Sequence, residues 1–334
     1  MMRFLGSTGL KVSPLCLGTM TFGTQWAHIN ISDQKTADAV VAMAIDHGVN
    51  FFDTANTYSG GESEEQLGRA LKGRPRDSVI IATKVRSRMG PGPNEVGLSR
   101  RHILHQVDAS LRRLGTEYID LYQTHAWDDP TPVEETLAAL DSAVAAGKVR
   151  YVGASNHAGW QLMKALATSD EKGLARYVTL QALYNPLQRD LERELVPLCR
   201  DQGLGILPWS PLAGGFLTGR YRRGVPRPAA ARRSDPEKAY LKFDEERGFD
   251  LVDALDRVAK NHGGTVIQAV HNWLLAKPNV TSVIVGARDT TQLEENLKAM
   301  SWSMTPDEVA SIDAVAPPTP AYPYWMLEQF HKNR

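Results

Sequence analysis

Four ionisable residues, Asp53, Tyr58, Lys84 and His125, are spaced so that they could share one proton-transfer site. Three of them close apolar runs: residues 49–52 end at Asp53, 79–83 at Lys84 and 118–124 at His125. Tyr58 follows Asp53 in the segment that leaves the first run. A phenol ordinarily holds its proton to a pKa of about 10. A neighbouring ammonium favours the phenolate and lowers that value. Lys84 can supply the ammonium, and Asp53, one strand away at ~5 Å, can hold it in place and keep it charged. His125 can donate a hydrogen bond to a developing alkoxide or share the proton transfer. Tyr58 then reads as a general acid towards a carbonyl oxygen. What the set lacks is a source of electrons. With no cysteine pair and no metal-ligand cluster, a hydride cofactor is the natural candidate.

Such a site requires the three runs to be neighbouring parallel strands whose ends meet at one rim. The rest of the chain supports this. A short hairpin over residues 3–13 turns at Gly6-Ser7-Thr8-Gly9. A first strand, Leu15-Cys16-Leu17, exits at Gly18-Thr19-Met20. Ser32 or Asp33 caps a helix that runs to His47 and stops at Gly48. Ser63 and Gln66 form a capping-box pattern ahead of Leu67 and Leu71. A long Gly/Pro-rich loop covers residues 86–98, and Ser99 caps a helix with Ile103, Val107, Leu111 and Leu114 on one face. Thr131-Pro132 opens another, with Val133, Leu137, Leu140 and Val144 along one side.

The alternation continues through a strand ending at Ser155-Asn156-His157, a helix over 159–169, a strand ending at Gln181 and a helix marked by Leu191, Leu195 and Leu198. The next strand ends at Trp209-Ser210-Pro211. After a long insertion over 212–247, helices over 248–262 and 265–276 lead to a last strand, 280–285, exiting at Gly286-Ala287-Arg288. Helices carrying Leu293, Leu297 and Met300, and then a Thr305-Pro306-Asp307-Glu308 cap, precede a Pro- and aromatic-rich tail. Eight strands alternating with helices predict an α/β fold. A closed (β/α)8 TIM barrel with an N-terminal β-hairpin and extra C-terminal helices is expected, as one domain over residues 1–334. The rival, a doubly wound sheet, lacks its Gly-x-Gly-x-x-Gly fingerprint after the first strand.

Composition narrows the class. The 334 residues are 42% hydrophobic and 23% charged, with 38 basic and 38 acidic side chains. A net charge of zero gives no global field for nucleic acid or a membrane surface. The wider arginine cluster from Arg220 to Arg233 is short, lacks an RNA-binding motif and reads as a solvated basic loop. Cys16 and Cys199 are far apart in apolar surroundings, so a reducing compartment fits and neither a disulfide framework nor a zinc site is expected. His28, His102, His105 and His157 read as surface or satisfied residues rather than metal ligands, and Cys16 as a small buried hydrophobe. No signal-peptide pattern and no bilayer-length apolar run are present, so a cytoplasmic protein is the default expectation.

The order Asp53, Tyr58, Lys84, His125 resembles the catalytic tetrad of the aldo-keto reductases. Further similar stretches are Leu15 to Met20, Asp53-Thr54-Ala55-Asn56-Thr57-Tyr58, Gly153-Ala154-Ser155-Asn156, Ser210-Pro211-Leu212-Ala213-Gly214-Gly215 and Gly286-Ala287-Arg288. The resemblance covers nearly the whole chain. It implies a barrel that reduces an aldehyde or ketone with NADPH, hydride moving from nicotinamide C4 while the tyrosine protonates the oxygen. It implies cofactor contacts by position at Gly18, Thr19, Met20 and Asp53. Ser155, Asn156 and Gln181 match the residues that bind the nicotinamide carboxamide. Trp209 stands where the family usually stacks tyrosine or phenylalanine on the ring, and its flat face keeps that capacity. Ser210, Pro211, Leu212, Gly214, Leu217 and Gly219 match a pyrophosphate loop, with Arg220 within reach of a phosphate. Gly286 and Arg288 match the adenosine 2′-phosphate position, which favours NADPH over NADH because a guanidinium suits a phosphate. Gln292, Glu295 and Asn296 match the adenine side.

Trp26, Met89 and Trp127, with Tyr58, His125 and the tail aromatics Tyr322, Tyr324 and Trp325, are candidate walls for a small carbonyl substrate. The substrate's identity and the oligomeric state are left open. One alternative is a cofactor-binding regulatory or scaffold subunit like the potassium-channel β subunits. Another is a barrel isomerase or lyase without hydride transfer.

Overall fold

The computed structural model describes residues 2–25, 30–31, 33–227, 239–318 and 321–331. Trp26, His28, Ser32 and the basic cluster beyond residue 227 lie outside the described residues. The chain opens with an antiparallel hairpin, β1 (Arg3–Phe4) and β2 (Lys11–Val12). Eight strands follow: β3 (Leu15–Gly18), β4 (Phe51–Asp53), β5 (Ile80–Val85), β6 (Ile119–Thr124), β7 (Val149–Ser155), β8 (Tyr177–Leu183), β9 (Gly205–Trp209) and β10 (Val283–Val285). They form one sheet in the order β10-β3-β4-β5-β6-β7-β8-β9, parallel throughout. The two ends meet just before β10, where Ile206 N–H donates to Asn279 O at 2.7 Å and accepts at its carbonyl from Thr281 N–H at 2.9 Å. The sheet is thereby a nearly closed (β/α)8 barrel with an N-terminal hairpin.

Strand side chains alternate between two cores. Cys16, Phe51, Ile80, Ala82, Leu121 and Leu207 cluster with Leu5 and Val12 of the hairpin region, which plugs one end of the barrel. Burying Leu5 and Val12 contributes roughly 1.5–3 kcal/mol each. The intervening residues, such as Leu15, Leu17, Phe52, Ile81, Tyr122 and Leu180, pack outward in the larger core that the helices share. On β4 and β5 the inward set therefore reads Phe51, Asp53 and Ile80, Ala82, Lys84. The polar members sit at the opposite end from the plug.

The helices are α1 (Gln34–Asp46), α2 (Glu62–Leu71), α3 (Arg100–Leu114), α4 (Val133–Ala145), α5 (Gly159–Lys172), α6 (Leu195–Gln202), α7 (Glu245–Asn261), α8 (Val266–Leu275), α9 (Thr290–Leu297), α10 (Pro306–Val315) and α11 (Tyr324–His331). Caps at Asp33, Ser99 and the Thr305/Glu308 box form as the sequence predicts. The Ser63/Gln66 pattern does not cap α2. That helix starts after Gly61 at φ 107°, and Ser63, already within its first turn, buries its hydroxyl against Thr19 O at 2.7 Å. A short hydroxyl that satisfies a barrel strand end carries the same sequence signature as a cap. Other boundaries shift. α5 runs three residues beyond 169. Leu191 falls in a separate 3₁₀ turn before α6. The aromatic tail contains α11, which no sequence signal marked. Arg220 is exposed as expected, but its neighbours are not simply solvated: Arg222 pairs with Asp253 at 2.9 Å, Arg223 with Glu246 and Asp250 at 2.9 Å each, and Arg227 with Glu245, which straps this segment to α7. Among the described residues, no helix is long and apolar enough to cross a membrane.

Candidate active site

The end of β4 delivers Asp53 inward, and β5 delivers Lys84 beside it. Lys84 Nζ donates to Asp53 Oδ1 at 2.5 Å, to Thr54 O at 2.8 Å and to the Tyr58 hydroxyl at 3.3 Å. Lys84 is wholly buried and Asp53 nearly so. Tyr58 is set by a strained turn. Its N–H donates to Ala55 O at 3.1 Å, and Ser59, at φ 47°, anchors its own hydroxyl on Phe22 O at 3.1 Å. A left-handed serine costs roughly 1–3 kcal/mol, which that anchor helps to offset. His125 follows β6, its N–H donating to Val85 O at 2.9 Å, and its ring meets Tyr58 edge-on with centroids 5.7 Å apart. All four ionisable residues thus converge at the unplugged end.

Their electrostatics follow from burial and from each other. Burial alone would lower Lys84, but Asp53 and Tyr58 outweigh it and hold the ammonium above its usual range. Desolvation pushes the Tyr58 phenol up; Lys84 pulls it down as expected, Asp53 adds to the rise, and the outcome lies above the ordinary value. The expected lowering is therefore only a partial compensation, and the phenol keeps its proton. Burial first, then the charges of Lys84 and Arg86, depress His125 to about 3, so its imidazole is neutral at physiological pH. Its buried Nδ1 has no hydrogen-bond partner.

Sequence reasoning missed two groups here. Gln123, inward on β6, donates from Nε2 to Asp53 Oδ2 at 3.1 Å. It stands two residues before His125, so the strand period would have found it. Behind the strand, outward-facing Thr83 donates to Glu64 Oε1 at 2.6 Å, and Arg113 Nε reaches Glu64 Oε2 at 2.6 Å. This fully buried carboxylate locks β5 to α2 and α3.

The other predicted residues named below stand in varied settings. Ser155 ends β7. Asn156, at φ 54°, donates to His125 O at 2.9 Å and accepts from Trp209 Nε1 at 3.1 Å. Gln181 Nε2 donates to Asp53 Oδ2 at 2.9 Å. Ser210 (φ 51°) follows Trp209, and its hydroxyl accepts from Gly214 N–H at 3.1 Å; Pro211 and Leu212 lead into a tight turn over Ala213–Thr218 with Gly214 at φ 67°. Leu217 is buried within that turn, Gly219 closes it at φ 79°, and Arg220 is exposed. Gly18 ends β3, Thr19 turns towards Ser63, and Met20 is exposed. Gly286 is exposed, with open space where a Cβ would stand. Arg288 is half-buried, its N–H donating to Gln292 Oε1 at 3.2 Å. Asn296 is buried and accepts from His271 Nε2 at 2.8 Å, while Glu295 accepts from Gln268 Nε2 at 3.2 Å. These last two are committed to α8 contacts. Met89 is half-buried in the 86–98 loop, its N–H donating to Glu95 O at 2.9 Å. Trp127 donates from Nε1 to Asp129 Oδ1 at 2.8 Å and meets His157 and Trp160 edge-on. Among the described residues, no group of three or more His, Cys, Asp or Glu side chains could hold a metal ion.

A parallel (β/α)8 barrel with an ionisable cluster where its strands end has the layout of a barrel enzyme. Residues 14–317 match the Aldo/keto reductase family, and the chain belongs to it. It is 39% identical to the uncharacterized oxidoreductase YrpG of Bacillus subtilis over 94% of this chain and 95% of that one. It is 37% identical to a probable voltage-gated potassium channel subunit beta of Arabidopsis thaliana, over 96% and 97%. It is 35% identical to the L-glyceraldehyde 3-phosphate reductase of Escherichia coli K12, over 93% and 91%. Membership makes this chain an oxidoreductase of carbonyl compounds that works with a nicotinamide cofactor.

Proposed function

We propose that the chain reduces a small aldehyde or ketone to its alcohol, reversibly, with NADPH, and that Tyr58 donates the proton. The observation that carries this is the buried Lys84 ammonium bridging Asp53 Oδ1 and the Tyr58 hydroxyl. Tyr58 holds its proton until a carbonyl oxygen begins to gather charge. Lys84 then stabilises the phenolate left behind, which Asp53 makes possible by keeping the amine protonated. Neutral His125 orients the carbonyl through its single N–H.

The donor set suits a nicotinamide dinucleotide: Ser155, Asn156 and Gln181 offer hydroxyl and carboxamide groups, Trp209 a flat ring, and Gly214 a left-handed turn. The orphaned His125 Nδ1 is a further polar atom without a protein partner. When bound, the cofactor supplies the hydride. Arg288 supports NADPH over NADH, because a guanidinium pairs with the extra phosphate.

The test is NADPH oxidation by purified protein against aldehydes and ketones, with glyceraldehyde 3-phosphate included because one relative is named for it. Turnover on several carbonyls is expected. A second reading, a cofactor-binding regulatory subunit, is favoured by the similarity to potassium-channel β subunits. Tight NADPH binding without oxidation of any member of the panel would select it.

A further inference from the structure

We propose that Gln123 is a positioning residue that, with Asp53, commits both N–H groups of Gln181 inside the barrel and so leaves Gln181 an acceptor towards the carboxamide of a nicotinamide cofactor. The inference rests on the cofactor side of the function proposed above. Asp53 has two carboxylate oxygens, and a carboxylate only accepts. Oδ1 takes the Lys84 ammonium; Oδ2 takes Gln123 Nε2 at 3.1 Å and Gln181 Nε2 at 2.9 Å. Both glutamines must therefore turn their NH2 groups, not their carbonyls, towards Asp53. Gln181 Nε2 also reaches Gln123 Oε1 at 3.4 Å. Its two N–H groups are then both used inside the barrel. What Gln181 retains for a ligand is its carbonyl, an acceptor.

The fold makes room for this arrangement. Gln123 pairs in register with Lys84 on one side and Gly153 on the other. A Cβ at Gly153 would stand 3.2 Å from Gln123 Cγ and collide with Thr179 Oγ1. The glycine leaves the Gln123 carboxamide free to span from Asp53 to Gln181. Gln123 is fully buried, so its hydrogen bonds to Asp53 and Gln181 are made away from solvent. Without Gln123, Gln181 keeps one N–H unspent, and its preference for a donor on the ligand weakens.

The test compares NADP+ with its 3-acetylpyridine analogue, which replaces the carboxamide by a ketone and offers no N–H. Dissociation constants are read from tryptophan fluorescence. The wild type should favour NADP+ by about tenfold, the worth of one hydrogen bond. Gln123→Met should weaken NADP+ by a similar factor, leave the analogue unchanged and bring the ratio near one. An unchanged ratio overturns the proposal, as does a wild type that binds both equally. If Gln123→Met fails to fold, Gln123→Glu decides: its introduced carboxyl donates to Asp53 only when protonated, so NADP+ affinity should recover as pH falls from 8 to 5. A flat profile in that variant overturns it. Discrimination by a protein that reduces no carbonyl would sink the reductase reading and leave this inference standing.

Discussion

Lys84 Nζ sits 2.5 Å from Asp53 Oδ1, and both side chains are buried. A charge pair of this kind is costly to break from one side. Lys84→Met leaves the carboxylate without its counter-ion and should destabilise the fold by about 3–5 kcal/mol. The double variant Asp53→Asn/Lys84→Met should recover much of that loss. Chemical denaturation of the four proteins forms the cycle, and additive losses would show that the pair is not coupled.

Tyr58 holds the proton that the proposed reaction spends. Tyr58→Phe should lower kcat by roughly 10²–10⁴, while NADPH still quenches tryptophan fluorescence with near-normal affinity. Turnover within a few-fold of wild type would remove Tyr58 from the role of acid.

Arg288 tests the cofactor preference. Arg288→Ala should raise the NADPH dissociation constant by about one to two orders of magnitude, as expected for a charge-assisted pair, with NADH little changed. Parallel weakening of both cofactors would mean that this arginine does not read a phosphate.

Acid should unfold the protein through buried imidazoles. His125 is held to about 3 by burial and by the charges of Lys84 and Arg86, and burial holds His157 and His271 to about 4 each. The ordinary value is about 6.5, so between these limits the unfolded chain binds protons that the native chain refuses. Stability is unaffected by these groups above pH ~6.5 and falls as pH drops towards 4. At pH 5 each costs about 2 kcal/mol at most. Urea midpoints from pH 7 to pH 5 should show this slope, and His157→Gln should reduce it. An identical slope in that variant would rule out His157 as a contributor.

The turn from Ala213 to Thr218 rests on left-handed Gly214 and Gly215, with the strap to α7 beyond it. Deuterium uptake over residues 212–219 should fall when NADPH is added. Equal uptake with and without cofactor would contradict a phosphate loop here.

The alternation of strands and helices was legible in the sequence because each barrel strand is an apolar run bounded by glycine or a cap. Asp53, Lys84 and His125 were legible because a polar residue closes such a run. Gln123 was not, since an inward glutamine within a strand looks like ordinary polarity until Asp53 Oδ2 is seen to need a donor. Ser63 was misread because a capping hydroxyl and a buried one share a pattern. The pairing of Arg222, Arg223 and Arg227 was not legible because their acidic partners on α7 lie 18 to 31 positions away. The net effect on Tyr58 needed burial as well as charge, and only three dimensions supply that.

The hairpin whose Leu5 and Val12 fill the lower end of the barrel has a kinetic consequence. With the inward strand side chains it packs that end solid, which leaves the opposite rim for ligands. In the proposed reaction, cofactor and carbonyl would then meet beside Tyr58 and come and go over the same rim. Whichever of the two lies deeper would have to arrive first and leave last, and its departure would then set the pace of the cycle.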